Sequence, residues 1–353
     1  MDFPKYEENE ILKAVPVSIS AQANVVKNRT MRGQALWYVA PGRGELREAV
    51  VAPAGSGKVR VRALFGAISR GTERLVLAGR VPESEFDRMR PPFMGGSFPF
   101  PVKYGYATVG RLEDGPAQNQ LVFALHPHQT LFTVPAEAVH PVPAAVPASR
   151  AVLAANMETA LNAVWDGAPG AADRIAVVGA GTVGLLVARL CGRLAGADVT
   201  VIDIVSSRAE GARALGLSFR PPEAAPADCD LVFHASGSAA GLATALRCAG
   251  DEATVVELSW YGAGEIAAPL GDAFHSRRLR LVSSQVGKVS PSHRARWTPA
   301  RRLVAALALL DDPVLDRLLA PAIDFADLPA RLPTVLAAES DARCPLIRYP
   351  GAP

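Results

Sequence analysis

The stretch from Arg174 to Leu190, "RIAVVGAGTVGLLVARL", decides how the rest of the chain is read. An apolar run ends in Gly179, Gly181 and Gly184, and a helical pattern follows. This is G-x-G-x-x-G between a strand and a helix, the context in which the pattern has physical meaning. Gly179 permits a tight turn, Gly181 lets the backbone approach a pyrophosphate, and Gly184 allows close helix–strand packing. The free N–H groups and positive dipole end of the helix that follows suit phosphates.

The next apolar run, "DVTVIDIV", carries Asp203, placed to accept hydrogen bonds from adenosine ribose hydroxyls. A carboxylate there repels a 2′-phosphate, which favours NAD; Arg208, close behind, keeps NADP as a second reading. "CDLVFHAS", "ATVVELS" and "LRLVSS" are further apolar runs of the buried parallel kind, with a shorter one near "LSFR". Their alternation with helical segments predicts a doubly wound α/β Rossmann sheet over residues 151–310. Just ahead of it, "SRAVLAANMETALNAVWDG" reads as one amphipathic helix capped by Ser149.

Upstream the texture differs. "ALWYVA", "KVRVRAL", "YATVGRL", "LVFAL" and "QTLFTVP" are short β-rich runs separated by Gly and Pro. Residues 31–150 therefore read as an irregular, mostly antiparallel β domain, preceded by an N-terminal extension, 1–30. The tail, 311–353, is β-like from Pro321 and is expected to return to the first domain.

The chain has 353 residues, 49% hydrophobic and 20% charged, with a net charge of +3. That describes a globular protein with room for two domains, and gives no reason to invoke nucleic acid or a membrane surface. The first residues lack the apolar core of a signal peptide, so the default expectation is a cytoplasmic protein. Cys191, Cys229, Cys248 and Cys344 show no zinc-knuckle spacing and read as small buried hydrophobes. Arg277, Arg278, Arg280, Arg294, Arg296, Arg301 and Arg302 read as a solvated basic face, with an anionic substrate as the alternative.

A β domain, a Rossmann domain and a returning tail, together with "ISRGTE" (68–73), "GYATVG" (105–110), "ANMETALNAV" (155–164) and "DLVFHASGS" (230–238), resemble the medium-chain dehydrogenase/reductase superfamily over residues 31–353. The resemblance implies a GroES-like catalytic domain and a homodimer paired through the last Rossmann strand. It implies cofactor contacts at Gly179, Gly181, Thr182, Val183, Gly184, Asp203, Arg208, Thr159 and Ser236. Zinc enzymes of that superfamily hold their catalytic metal at three positions that correspond here to Ser69, Tyr106 and Ala155, with Glu158 three residues on. Serine, tyrosine and alanine are not zinc ligands. The expectation is NAD as cofactor, NADP as alternative, and no zinc. "SRGTE" and "ELSWYG" are most similar to the bacterial branch containing the dehydrogenase that oxidises the hydroxyethyl side chain of bacteriochlorophyllide, and to threonine dehydrogenase-like proteins.

Without a metal, charge developing on a substrate oxygen must be met by hydrogen-bond donors or a general acid. Tyr106 and Tyr104 are the candidates, on one side of the chain if the segment is extended, with Lys103 pointing away. Ser69 and His128 are further candidates, and Glu73 is expected at the substrate pocket or bracing its loop. Trp260 and Tyr261 follow an apolar strand and fall at its carboxyl end, where ligands bind in such sheets. His126 and His128, two residues apart, lack an evident third metal ligand. The function expected is hydride transfer between nicotinamide and a secondary alcohol or ketone. Reduction of a conjugated C=C bond or a quinone, and nucleotide binding without catalysis, remain open.

Overall fold

The computed structural model describes residues 30–337, 340 and 343–353; the expected extension up to residue 29 lies outside them. Strands β1 (Met31–Ala40), β2 (Arg43–Val51) and β3 (Lys58–Ala67) lead into helix α1 (Arg70–Leu77). Then come β4 (Gly95–Gly96), β5 (Val102–Lys103), β6 (Thr108–Leu112), β7 (Leu121–Ala124), β8 (Leu131–Pro135) and β9 (Val139–Pro141). From α2 (Ala148–Ala151) and α3 (Ala154–Gly167) onward, strands and helices alternate. They are β10 (Arg174–Val178), α4 (Thr182–Cys191), β11 (Asp198–Ile202), α5 (Ala209–Ala214), β12 (Ser218–Arg220), β13 (Cys229–His234), α6 (Ala239–Cys248), β14 (Ala249–Glu257), α7 (Ala273–Ser276), β15 (Arg280–Ser283) and α8 (Pro299–Ala308). The tail holds β16 (Ile323–Asp324), α9 (Leu328–Val335) and β17 (Leu346–Arg348).

The parallel sheet runs β12-β11-β10-β13-β14-β15, the doubly wound order in which the topology switches between β10 and β13. Its middle strands are apolar on both faces, as burial on both sides demands. The other strands form two largely antiparallel sheets, β2-β1-β5-β4 and β16-β17-β3-β6-β7-β9, with β8 on β3. β17 pairs antiparallel with β3, so the end of the chain closes the first sheet system. One hydrophobic core joins the two halves, packing Phe65, Val109 and Phe123 with Leu153, Met157, Val177, Leu186 and Phe233. Full burial of each such side chain contributes about 1.5–3 kcal/mol.

Three local expectations change. Ser149 caps nothing: the single helix is two, α2 after Pro147 and α3 after Leu153. Tertiary contact outweighs the helical period there, since Arg150 is drawn into a two-pronged pair with Asp316 at 2.8 Å and Val152 and Leu153 are fully buried. The tail is not all β: Leu328, Leu332 and Val335 are buried on one face of α9. Arg302 does not belong to a solvated face, being 2% exposed in α8. No helix among the described residues is long and apolar enough to cross a membrane.

Candidate active site

The glycine loop leaves β10 at the switch point of the parallel sheet. Gly179 has φ +114°, and a Cβ on it would lie 2.7 Å from backbone of Ala235 and Ser236 in the loop after β13. A Cβ on Gly184 would lie 1.9 Å from the Gly179 carbonyl oxygen, so only glycine lets α4 approach its strand. At Gly181, the N-cap of α4, a Cβ would meet nothing within 4 Å. Backbone open to that side at a helix N-terminus fits a pyrophosphate.

Asp203 follows β11 directly and is buried. Its carboxylate accepts from the Ala180 N–H (2.7 Å), the Val205 N–H (2.8 Å) and the Arg208 guanidinium (2.9 Å). The two residues read from the sequence as rival cofactor selectors are thus partners, and Arg208 partly neutralises the charge that would meet the ribose. The tail touches the same region: Thr182 Oγ donates to the Arg343 carbonyl at 2.7 Å and Arg208 to that of Ser340 at 3.2 Å. Val183 packs against the joint core, and Thr159 Oγ turns back to the Ala155 carbonyl at 3.0 Å.

The second constellation surrounds α1. Glu73 is fully buried. One carboxylate oxygen accepts from the Ser69 N–H at 2.8 Å; the other accepts from Tyr38 Oη at 2.6 Å and pairs with His128 Nε2 at 2.9 Å. Glu73 therefore braces the loop, and the expected place in the substrate pocket is corrected. His128 is likewise fully buried, its ring pressed against Gly105, where a Cβ would come within 2.7 Å. It can orient Glu73 and the loop but cannot touch a substrate, which corrects its candidacy as an acid. Tyr104 is 3% exposed within the second core, a correction of the same kind.

Tyr106 is half-buried, as are Ser69 and Thr72. Gly105, at φ +109°, interrupts the extended segment before β6, so the shared face of the two tyrosines is not that of a regular strand. Their rings still meet edge to face at 6.0 Å, and Lys103 points away to Gln129. Tyr106 packs against both cores and so stands at the junction of the two halves. Burial pushes its phenol up to about 12, while hydrogen bonds from Ser69 and Thr72 pull it back. At neutral pH it is a protonated donor flanked by two hydroxyls.

Ser69, Tyr106 and Ala155, the positions that the resemblance matches to zinc ligands, offer no thiolate, imidazole or carboxylate. Glu158 is tied to the Arg302 guanidinium at 3.0 Å. His126 stacks on Phe132 at 3.7 Å, while His128 pairs with Glu73 at 2.9 Å. Among the described residues no three His, Cys, Asp or Glu side chains are grouped to hold a metal ion. The donor set does not fit zinc.

The loops after β13 and β14 bring together residues that sequence reading singled out only in part. Trp260 packs with the second core, which Tyr106 also touches, and the Ala263 N–H reaches the Arg80 carbonyl at 3.1 Å. Tyr261 donates to Glu257 at 2.9 Å. Ser236 contacts His234, and His234 contacts Glu257. His234 and Glu257 were not foreseen; the available signal was that each ends its apolar run on what become neighbouring parallel strands.

A Rossmann sheet and an antiparallel domain to which the tail returns make up a two-part fold shared with dehydrogenases of known structure. No family model matches the sequence. Among solved structures the chain is similar to L-idonate 5-dehydrogenase from Escherichia coli, with TM-score 0.74 and 14% identity over 91% of this chain and 99% of that one. It is similar to 2R,3R-butanediol dehydrogenase from Bacillus subtilis, with TM-score 0.70 and 16% identity over 90% and 99%. It is also similar to the short chain alcohol dehydrogenase rspB from Escherichia coli, complexed with NADH, with TM-score 0.69 and 16% identity over 90% and 99%. The chain shares the fold of these dehydrogenases along essentially their whole length.

Proposed function

We propose that the chain is an NAD(H)-dependent oxidoreductase of the medium-chain dehydrogenase/reductase superfamily that works without zinc and interconverts a secondary alcohol and its ketone. What supports this reading is the Tyr106 phenol with its Ser69 and Thr72 hydroxyl neighbours, two of them (Ser69 and Tyr106) at positions the resemblance matches to zinc ligands, with Glu73 bracing the Ser69 N–H. When bound, the nicotinamide supplies hydride for reduction and accepts it for oxidation. Tyr106 donates a proton to the substrate oxygen, Ser69 and Thr72 hold the phenol in place, and Trp260 walls the cleft from the Rossmann side. Preorganised donors of this kind stabilise developing oxyanion charge without reorganising. The bacteriochlorophyllide-dehydrogenase-like branch is part of this reading, on the likeness at "SRGTE" and "ELSWYG".

Product analysis with NADH deuterated at the transferred position tests the chemistry. Label on a carbinol carbon is the expected result; label on a β-carbon makes the protein an enoyl reductase instead. Metal analysis of active protein should find less than one zinc per ten chains, and stoichiometric zinc needed for turnover would end the zinc-free reading.

Cofactor choice is tested by fluorescence titration. NADH is expected to bind at least about tenfold more tightly than NADPH, a difference of about 1.4 kcal/mol, because the Asp203 carboxylate opposes a 2′-phosphate. Asp203→Ala should abolish that preference. Tighter NADPH binding would instead make Arg208, released from Asp203, the selector.

The proposal includes a homodimer joined across β15. That strand is at the edge of the parallel sheet, and Leu281 on it is 38% exposed. Gel filtration at micromolar concentration should give twice the 37.1 kDa of the chain, and Leu281→Asp should give the single chain. Elution of the unaltered protein as a monomer refutes the pairing.

A further inference from the structure

Beside the glycine loop the structure holds a relay that hydride transfer does not use. Glu257 ends β14 and His234 ends β13, and the two are register partners in adjacent parallel strands. Glu257 Oε2 lies 2.7 Å from His234 Nδ1, and His234 Nε2 lies 2.6 Å from Ser236 Oγ. His234 is fully buried, the Glu257 side chain is 13% exposed, and Ser236 is exposed.

The surrounding donors fix the direction of every proton. The Glu257 carboxylate also accepts from Tyr261 Oη at 2.9 Å and from the Ser259 N–H at 2.7 Å. Burial pushes this carboxyl up, but the bonds from His234 and Ser259 outweigh it, so it stays ionised and can only accept. His234 Nδ1 must then be the donor, and in the neutral imidazole Nε2 presents its lone pair to Ser236. Ser238 caps α6 by accepting the Gly241 N–H at 3.1 Å, so its own proton is free for Ser236 Oγ at 3.0 Å. Ser236 in turn gives its proton to His234. An ionised carboxylate, an oriented imidazole and a hydroxyl on its far nitrogen are the parts of an activated serine.

The packing is cut to keep that hydroxyl in place. A Cβ on Gly241 would lie 2.0 Å from Ser236 Oγ and 2.8 Å from His234 Nε2, so the first turn of α6 closes on the pair only because it carries no side chain there. The first turn of α6 thus lies directly beside the Ser236 hydroxyl.

We propose that Ser236, His234 and Glu257 form a nucleophilic triad that gives this protein an acyl-transfer activity toward small esters, at a site bordering the dinucleotide loop. Ser236 Oγ attacks the ester carbonyl carbon as His234 Nε2 takes its proton, and the carbonyl electron pair moves to oxygen. Collapse of that adduct breaks the bond to the alcohol, which leaves with the proton from His234. Water, deprotonated by the same nitrogen, then cleaves the acyl-serine, releasing a carboxylic acid and restoring the hydroxyl. The cycle is redox-neutral and needs no co-reactant beyond water.

The direct test is a fluorophosphonate on the unaltered protein, followed by peptide mass analysis, with p-nitrophenyl acetate hydrolysis measured alongside. Labelling at Ser236 is expected, together with a loss of at least about a hundredfold in kcat/KM in Ser236→Ala and His234→Gln. Gly241→Ala supplies a variant outside the triad: its methyl would displace the Ser236 hydroxyl, so labelling should fall by at least about tenfold. An unlabelled Ser236, or equal hydrolysis by the unaltered protein and Ser236→Ala, overturns the proposal. Saturating NADH should protect Ser236, because Gly179 and Ser236 are in contact. Labelling that NADH does not slow supports the triad while counting against the dinucleotide reading, so the two fail separately.

Discussion

Replacing Arg302 by alanine is expected to lower the unfolding free energy by about 3–5 kcal/mol, as loss of one partner from a buried ion pair does. Domains of ordinary stability have only about 5–15 kcal/mol in all. Arg302 lies in α8 and its guanidinium donates to the Glu158 carboxylate at 3.0 Å, to Asn162, and to the carbonyls of Lys288 (3.2 Å) and Val286. Asn162 in turn accepts the Ser290 N–H at 3.1 Å. One side chain thus ties α3 to α8 and to the loop after β15. Its removal leaves a carboxylate buried without a counter-charge and backbone carbonyls without donors. Burial already raises the Glu158 carboxyl, with Arg302 pulling against it. Without Arg302 that carboxyl rises further above its unfolded value. A raised acid is an expense to the fold only when ionised, so the deficit of the variant should be full above the folded pKa and shrink as pH falls toward the ordinary carboxylate range. Denaturant unfolding of both proteins at pH 7.5 and 5.5 measures this. A deficit below about 1 kcal/mol, or one that grows on acidification, would show that the clamp is not what holds α3. Glu158→Leu with Arg302→Met should recover most of the loss, because well-packed apolar groups often replace a buried pair at no cost.

The second large effect is on catalysis. Tyr106→Phe should lower kcat/KM for ketone reduction by about 10²–10⁴-fold, the range for loss of a positioned general acid, with the melting temperature little changed. The phenol is pushed up to about 12. Reduction should therefore be flat between about pH 6 and 9, because the proton to be donated is present throughout. Oxidation needs the phenolate and should climb with pH over the same range, by up to about tenfold per unit. Ser69→Ala should show a smaller loss, since it removes a partner of the phenol and not the phenol itself. An unchanged rate in Tyr106→Phe would leave the tyrosine a wall residue and return the role of donor to a group outside this cluster.

How much of this was legible beforehand differs from one part of the molecule to another. The strands of the parallel sheet, and β1, β3, β6, β7 and β8 of the antiparallel sheets, were read from their apolar runs, and the three glycines from their order in one loop. The roles given to Gly179 and Gly184 follow from backbone geometry at each site, and the structure bears them out. Ser149 misled because a helical period in one segment cannot register that Arg150 is claimed by Asp316 in the tail. His128 and Tyr104 misled because residue type suggests chemistry without saying whether the side chain faces a cleft or a core. The tail helix α9 was missed because its apolar spacing lies among prolines and short β-like runs.

The sequence by itself determined the fold class, many of the strand runs, the glycine loop after β10 and the residue types at the three matched positions. Each of these depends on residue type and near-neighbour spacing, through backbone sterics, hydrophobic period and ligand chemistry. Only the tertiary structure decided which polar groups meet. Arg302 and Glu158 are separated by 144 residues, Glu73 and His128 by 55, and His234 and Glu257 by 23. Such pairs form when sheet register and helix packing bring them within about 3 Å, where removal from water makes an unpaired partner costly. No local pattern carries that information, and the Arg302 clamp and the proposed acid and triad all depend on it.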